Sequence, residues 1–422
     1  MTHEPSRNEF WKNVATLLSA SVLAQAVPFL LLPILQKWFF SPSDFGVLAI
    51  YTSVSLLLAG IASFKYELAI VNADTNSEAQ HLLWGASLIA VAFSLFIALS
   101  IFIFGSSFSE IFDTKELGNS IFLIPFSVLF VGFTEILNYW NNRKKAFKII
   151  AGSKITKSVF AESSKLSLGK LALSNGLIFG RIIGEFGALM FLVINFAKND
   201  IKTISKLNWQ NVITTLKKHY RFPMFSMPSV FVGNFINVIF IGLFTKYFGT
   251  ESAGIIGVSV IYIAVAFGIM SQAFSQVFFK EIHQQKNNKA LLKFYLQNAG
   301  ILSSIALVAI VVINLLPSTS ISYILGNQWS DMIPTIKILV FAYGIQFVTS
   351  SLSYIYIRLN KQRTMLVFDI LHLALVWGSI VISFNHYGTF HSAIISYTIA
   401  QVLYYSIAFV AAIVFIHKAD LS

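Results

Sequence analysis

The sequence predicts an all-α polytopic membrane protein with twelve transmembrane helices, arranged as two parallel-repeat six-helix lobes around a central cavity. Three observations carry this prediction. Of the 422 residues, 56% are hydrophobic and only 11% are charged, against about 25% charged in soluble domains. Apolar segments of about 20 residues, enough to cross a hydrocarbon core, follow one another along the chain. Residues of the first half also recur about 208 positions later.

Loops rich in Lys and Arg stay in the cytoplasm, which fixes the orientation of the spans and gives two cytoplasmic termini. We predict an N-terminal lobe at 1–197, a basic cytoplasmic linker at 198–221 with an amphipathic helix on the inner leaflet, and a C-terminal lobe at 222–422. The twelve spans are expected at about 13–36, 45–64, 82–104, 119–141, 149–173, 175–197, 222–247, 252–279, 292–315, 332–357, 364–385 and 389–416.

The internal repeat defines the symmetry of the predicted lobes. Phe40 corresponds to Phe248, and Gly46 corresponds to Gly254. Six spans separate the copies, and six is an even number, so both copies cross the membrane in the same direction. The two lobes should therefore be related by an axis along the membrane normal.

The fifth span, 149–173, is predicted despite its charges. Basic loops flank 149–197, so this stretch must cross an even number of times, and 175–197 supplies only one crossing. At 100° per residue, Lys154, Lys157 and Lys165 share an arc of about 80°. Lysine in hydrocarbon costs at least about 3 kcal/mol, so this stripe should face a water-filled cationic cavity. The alternative is an amphipathic helix on the cytoplasmic surface.

Three acidic residues lie close in sequence to a cation, and each can be explained by structure alone. Glu162 lies one turn from Lys165 and is either a proton site or a structural partner. Arg181 and Glu185 are spaced to pair across one helical turn, for function or only to hold helices together. Glu67 follows Lys65 at the inner end of the second span, where a snorkelling pair is the ordinary explanation.

Other features bear on packing and on what is not expected. Gly176, Gly180 and Gly184 form a tandem GxxxG pattern, which indicates close helix packing. Asp369 and His372 could relay a proton, although a shallow snorkelling position is favoured. The sequence has no cysteine, no phosphate-binding loop and no histidine cluster, so no catalytic site, cofactor or metal is expected. The net charge of +12 lies mostly in the loops predicted as cytoplasmic, which argues against nucleic acid as a partner.

Several motifs resemble those of the bacterial polysaccharide-export flippases called Wzx, of the multidrug/oligosaccharidyl-lipid/polysaccharide exporter (MOP) superfamily. The resemblance covers nearly the whole chain. Its motifs are VPFLLLP at 27–33, SPSDFGVLA at 41–49, KYELAIV at 65–71, YRFPMFS at 220–226, YFG at 247–249, QVFF at 276–279 and LGNQWS at 325–330.

The resemblance implies transport of an undecaprenyl-diphosphate-linked oligosaccharide, an O-antigen or capsule repeat unit, across the bacterial inner membrane. The cargo's diphosphate or acidic sugars would then contact the cationic stripe, and a polysaccharide polymerase and other assembly proteins would be partners. The expected cargo-binding residues are Lys154, Lys157, Lys165 and Arg181. The expected candidates for ion coupling are Glu162, Glu185, Glu67 and Asp369.

Two other functions remain open. A drug or cation antiporter of the same superfamily would carry cationic cargo, which a lysine-lined lobe should repel. A membrane enzyme acting on lipid-linked sugars would need a large outer loop or domain, and the predicted outer loops run to only about 16 residues.

Overall fold

The computed structural model describes residues 27–111, 115–201, 208–282, 284–285, 287–359 and 361–419. Nearly all of these residues are helical. Helices in the first half are α1 Val27–Trp38, α2 Pro42–Ala59, α3 Glu67–Asn72, α4 Asn76–Ile111, α5 Ile124–Arg143, α6 Phe147–Lys170, α7 Gly176–Asn199 and α8 Trp209–Lys218. The second half contains α9 Met227–Ile282, α10 Asn288–Leu315, α11 Ser320–Leu325, α12 Met332–Ser351, α13 Tyr354–Arg358, α14 Gln362–Tyr387 and α15 Phe390–Lys418.

Within the described residues, nine helical stretches are long and apolar enough to cross a membrane. One of these stretches, α9, contains both the seventh and the eighth predicted spans, which meet end to end near residue 249. Most of the first predicted span, residues 13–26, lies outside the described part of the chain. The fifth predicted span is the helix α6, which length and apolar composition alone would not select because of its charges.

The predicted boundary between spans seven and eight is a break inside α9. At Gly249 the backbone has φ 84° and ψ 168°, a conformation open to glycine and very unfavourable for residues with a Cβ. Residues 227–248 and 250–282 are therefore two helices joined by one non-helical glycine.

The chain forms two compact units, residues 30–254 and residues 255–419 together with 27–29. The first unit contains α2 to α8, and its helices α4, α5, α6 and α7 pack on one another. The second is built on α10, α12, α14 and α15, around buried Tyr295, Trp329 and Phe347. The lobe and linker boundaries given above stay predictions.

Local sequence explains where α2 begins. Ser41 caps the helix: its backbone N–H donates to Asp44 Oδ2 at 2.8 Å, and its hydroxyl oxygen accepts from the Asp44 N–H at 3.3 Å. Pro42 occupies the first helical turn, where its missing N–H costs nothing. The reciprocal cap fixes the chain direction at the start of a helix that carries a site residue.

The predicted amphipathic helix of the linker is α8, which packs on α4. Leu216 lies against Gly85, and the Tyr66 hydroxyl donates to the Leu216 carbonyl at 3.2 Å. Val212 is buried, whereas Trp209 and Ile213 are exposed. The helix α8 therefore has one packed side and one side with exposed apolar residues.

Candidate functional site

The helices α6 and α7 form an antiparallel pair. Gly152 on α6 lies against Phe191 on α7, and near the other end Gly176 lies against Leu168. These contacts are separated by about 24 Å along α6 at 1.5 Å per residue. The two helices therefore run side by side over the length of a membrane crossing.

The predicted glycine pattern of α7 makes this close approach possible. A Cβ on Gly180 would lie 2.5 Å from Lys165 Cγ, and one on Gly184 would lie 2.6 Å from Ala161 Cβ and 2.7 Å from the Lys157 carbonyl oxygen. A helix lying flat on the membrane surface would not follow α7 in this way. Since α7 is apolar enough to span, the packing favours the spanning interpretation of α6 over the surface alternative.

The cations of α6 differ in their partners. Lys165 Nζ lies 2.6 Å from Glu162 Oε1, and Glu162 is buried. Lys157 is half-buried and Lys154 is exposed, and neither forms an ion pair with any carboxylate that the structure describes. The stripe of three lysines thus contains one neutralised and two unneutralised ammonium groups.

Arg181 and Glu185 form the predicted pair on α7. Arg181 Nε lies 2.9 Å from Glu185 Oε1, and the side chains are 18% and 1% exposed. The other carboxylate oxygen, Oε2, lies 2.5 Å from the Ser127 hydroxyl on α5. Ser127 in turn lies 2.8 Å from the Tyr51 hydroxyl on α2, which also donates to the Leu123 carbonyl at 3.0 Å. A buried polar chain therefore links α2, α5 and α7.

Lys157 on α6 interacts electrostatically with charged residues of α7. Its ammonium group interacts with Arg181, Glu185, Glu135 and Lys165. Glu135, an exposed residue of α5, interacts with Lys154 and Lys157 as well. The structure thus brings together six predicted site residues in one charged region of a single unit: Lys154, Lys157, Glu162, Lys165, Arg181 and Glu185.

Comparisons with known proteins identify the family. Residues 38–334, most of the chain, match the family model described as polysaccharide biosynthesis protein. The chain belongs to this family. No curated protein sequence has a detectable match to it.

The fold of this polysaccharide biosynthesis protein is that of the MOP-superfamily transporters. It is similar to an inward-facing multidrug resistance MATE transporter of that superfamily, with a TM-score of 0.70, 13% identity, and 95% and 94% of the two chains covered. An outward-facing structure of a multidrug resistance MATE transporter gives 0.58 at 14% identity, with 97% of each chain covered. A MOP-superfamily transporter from Pyrococcus furiosus, described as having reverse polarity of its binding pocket, gives 0.57 at 14% identity, with 97% of each chain covered.

These comparisons establish the fold class and the resemblance given above. The protein is a multi-pass membrane protein of the polysaccharide biosynthesis family, and it has the fold of the MOP-superfamily transporters, which consists of twelve helices in two lobes.

Glu67 has the predicted partner but a different environment. Lys65 Nζ lies 2.7 Å from Glu67 Oε1, and Ser63 also donates to the Glu67 carboxylate. Glu67 is 2% exposed and Lys65 is 14% exposed, so the pair is buried in the unit rather than snorkelling at a lipid surface. Phe64 and Lys65 have φ of 53° and 62°, in the left-handed region that non-glycine residues rarely adopt.

The structure gives His372 a hydrogen-bond partner that the sequence did not predict. His372 Nε2 is hydrogen-bonded to Gln401 Oε1 at 2.8 Å, and its ring stacks on Tyr404 with centroids 4.0 Å apart. Asp369 and His372 lie about one turn apart on α14. The Nε2 atom of the imidazole is hydrogen-bonded to Gln401 on α15. Both residues belong to the unit of residues 255–419.

Sequence analysis missed Tyr51 and Ser127 as members of the site. Isolated hydroxyl side chains in apolar spans usually bond to their own backbone, so nothing in the sequence distinguishes these two. Their role becomes visible only from contacts between helices. Among the residues that the structure describes, no group of His, Asp and Glu side chains is arranged to hold a metal ion.

Proposed function

We propose that this transporter is a flippase that moves an undecaprenyl-diphosphate-linked oligosaccharide, an O-antigen or capsule repeat unit, from the inner to the outer leaflet of the bacterial cytoplasmic membrane. The polysaccharide biosynthesis family and the MOP transporter fold support the general activity. Neither of them identifies the cargo, and the proposal of a lipid-linked oligosaccharide rests on the positive charges of α6.

The observation that carries the proposal is Lys157. This ammonium group is half-buried on a helix that packs along a membrane span, and no carboxylate among the described residues lies within ion-pair distance of it. Holding it there costs at least about 3 kcal/mol in hydrocarbon unless water or an anion solvates it. A transported diphosphate would supply that anion during each cycle.

The roles divide as follows. Lys154 and Lys157 supply the unneutralised charge for the diphosphate or acidic sugars, and Lys165 and Arg181 contribute if cargo draws them from their carboxylates. Glu162, Glu185, Glu67 and Asp369 are the candidates for ion coupling. The polyprenyl tail stays in lipid while the predicted lobes alternate access to the glycan. A polysaccharide polymerase and other assembly proteins would receive the product.

The proposed orientation has both termini and the basic linker on the cytoplasmic side. Under that orientation, α8 lies at the inner leaflet, with exposed Trp209 and Ile213 toward the lipid and Lys217 near the anionic headgroups. The cargo's diphosphate would enter from the same leaflet.

A drug or cation antiporter is the second candidate, because the similar solved structures include multidrug transporters. The unneutralised Lys154 and Lys157 oppose it, since they would repel a cationic drug. A membrane enzyme acting on lipid-linked sugars has no specific observation in its favour.

Deletion with complementation tests the proposal. Cells that lack the protein should accumulate lipid-linked sugar on the inner leaflet, and chemical analysis of that sugar identifies the cargo. Lys154, Lys157 and Lys165 changed together to glutamine should abolish surface glycan while the protein remains in the membrane. Lys170→Gln, an exposed lysine at the end of the same helix, is the matched control. Normal glycan output from the triple variant would refute the proposed cargo contact.

A further inference from the structure

The polar chain from Leu123 to Glu185 contains more contacts than hydroxyl hydrogens. Three oxygen pairs lie within hydrogen-bonding distance: the Leu123 carbonyl with Tyr51 at 3.0 Å, Tyr51 with Ser127 at 2.8 Å, and Ser127 with Glu185 Oε2 at 2.5 Å. Tyr51 and Ser127 each carry one hydroxyl hydrogen, and the carbonyl carries none. Two hydrogens therefore serve three contacts when Glu185 is ionised.

A proton on Glu185 completes the chain. The carbonyl of Leu123 can only accept, so the Tyr51 hydrogen points to it, and the Ser127 hydrogen must then point to Tyr51. The short contact between Ser127 and Glu185 then needs a hydrogen on the carboxyl group. With that hydrogen every contact has one donor, and in a buried site a fully satisfied chain is strongly preferred to an incomplete one.

The surroundings of Glu185 balance the two protonation states. Tyr51, Ser127 and Glu185 are 0%, 0% and 1% exposed, which penalises a charge. The charged or titratable groups near Glu185 include Arg181 on its own helix, Lys157 on α6 and Tyr51 on α2, and α5 contributes the Ser127 hydroxyl and, through Lys157, Glu135. The two cations favour the carboxylate, and the hydroxyl chain favours the acid.

The ion pair itself is poorly aligned. Arg181 Nε and Glu185 Oε1 are 2.9 Å apart, yet neither atom has a hydrogen bond of acceptable geometry. The pair therefore depends on charge attraction, which disappears when Glu185 gains a proton. The Arg181 side chain is 18% exposed, although its Nε atom is buried.

We infer that Glu185 is a proton-binding site whose occupancy releases Arg181 to an anionic group. In the protonated state the hydroxyl chain is complete and the guanidinium is free to bind a phosphate. When Glu185 gives its proton up to water, the Ser127 hydroxyl turns back to the carboxylate, and the negative charge on Glu185 recaptures Arg181. Proton binding and anion binding are thus coupled at one turn of α7. The proton site stands on the hydroxyl chain alone, whereas its link to cargo rests on the proposed function.

Infrared difference spectroscopy on the purified full-length protein in liposomes tests the proton site. The wild type should show an absorption of a buried protonated carboxyl group that titrates with pH, and Glu185→Gln should lack it. Tyr51→Phe removes the need for a third hydrogen, so the same absorption should be weaker than in the wild type. Glu162→Gln, which alters a carboxylate paired within one helix, should leave it unchanged. Persistence of the absorption in Glu185→Gln would overturn the inference.

Inorganic pyrophosphate tests the release of Arg181. Its affinity for the wild type should increase as the pH falls and Glu185 binds a proton. In Glu185→Gln, which imitates the neutral acid, affinity should be high and lose that pH dependence. Equal pH dependence in both proteins would overturn the coupling. These measurements need no lipid-linked sugar, so a proton site that is present while the triple lysine variant still exports glycan would disprove the proposed function and leave the proton site standing.

Discussion

Gly46 and Gly254 occupy equivalent positions of the internal repeat, and each packs on the start of the other's helix. A Cβ on Gly46 would lie 1.9 Å from the Thr250 carbonyl oxygen, and one on Gly254 would lie 1.7 Å from the Pro42 carbonyl oxygen. Pro42 and Thr250 are separated by the same repeat spacing as the two glycines. The contact is therefore reciprocal, as at a two-fold axis.

This reciprocal contact predicts that both glycines are intolerant of a methyl group. Gly46→Ala and Gly254→Ala should each lower the free energy of unfolding by about 1–3 kcal/mol, because backbone atoms must move apart. Thermal unfolding of the purified protein measures the effect. Gly233→Ala is the control: no atom of the residues that the structure describes lies within 4 Å of its Cβ position, and alanine should stabilise the helix by about 0.5–1 kcal/mol. Equal behaviour of the three variants would contradict the contact.

The packing of α6 on α7 gives a second prediction. Gly184→Ala would bring a Cβ against Ala161 and the Lys157 carbonyl, so the helices must separate and Lys157 must shift. We expect loss of glycan export together with a lower thermal midpoint. Gly105→Ala, at an open position of α4, is the matched control and should retain both properties. Full export by Gly184→Ala would show that the spacing of these helices is unimportant.

Lys157 and Lys165 should respond differently to neutralisation. Lys165→Gln leaves buried Glu162 without its cation and should reduce the unfolding free energy by about 3 kcal/mol. Lys157→Gln removes an unpaired charge, so stability should be preserved or increased while export falls. Thermal unfolding and surface glycan, measured on the same two variants, separate these outcomes. A stable Lys165→Gln protein would mean that its pair contributes little.

Exchange of Arg181 and Glu185 should fail to restore function. A pair that acted only through charge would tolerate the swap, but the carboxylate at position 185 also accepts from Ser127. After the swap, an arginine would lie against a hydroxyl chain that needs an acidic group. We expect the double variant to export no more glycan than either single alanine variant, and rescue above both would contradict the structural role of Ser127.

The contacts of α8 with α4 predict unequal effects of two acidic residues. Glu78 Oε1 lies 2.7 Å from Lys218 Nζ and 2.8 Å from His219 Nε2, whereas exposed Asp74 contacts only Lys218, at 2.9 Å. Both carboxylates raise the pKa of Lys218, with the larger contribution from Glu78. Glu78→Gln should therefore loosen α8 more than Asp74→Asn.

Cysteine labelling measures this difference, because the protein has no native cysteine. Val212 is buried on the packed side of α8, so a cysteine at this position should react slowly in the parent protein. It should react faster when combined with Glu78→Gln and only slightly faster with Asp74→Asn. The reverse order would show that Asp74 holds the helix.

Features that depend on one helix at a time were predictable from sequence. The Arg181–Glu185 pair and the Glu162–Lys165 pair follow from helical spacing, and both form in the structure. The glycine face of α7 was likewise assigned to packing, and it contacts α6. These predictions succeed because 3.6 residues per turn fixes which side chains are neighbours.

Features that depend on the neighbours of a helix were not predictable. The pair of Lys65 and Glu67 was expected at a lipid surface, yet it is buried by other helices. The sequence suggested no partner for His372 other than Asp369, and in the structure His372 also bonds to Gln401, 29 residues further along the chain. The helical period determines which residues share one face of a helix, but it does not determine whether that face contacts lipid, water or another helix.

By itself, the sequence determined the spans, the repeat, the family and the charges that the membrane-embedded region must carry. Only the tertiary structure decided which of those charges are neutralised and that Tyr51 and Ser127 join Glu185, although Ser127 lies 58 residues before it. The physical reason is the range of the forces that fix each feature. Hydropathy and helical periodicity act locally along the chain, whereas a hydrogen bond between helices exists only where packing brings two faces within about 3 Å.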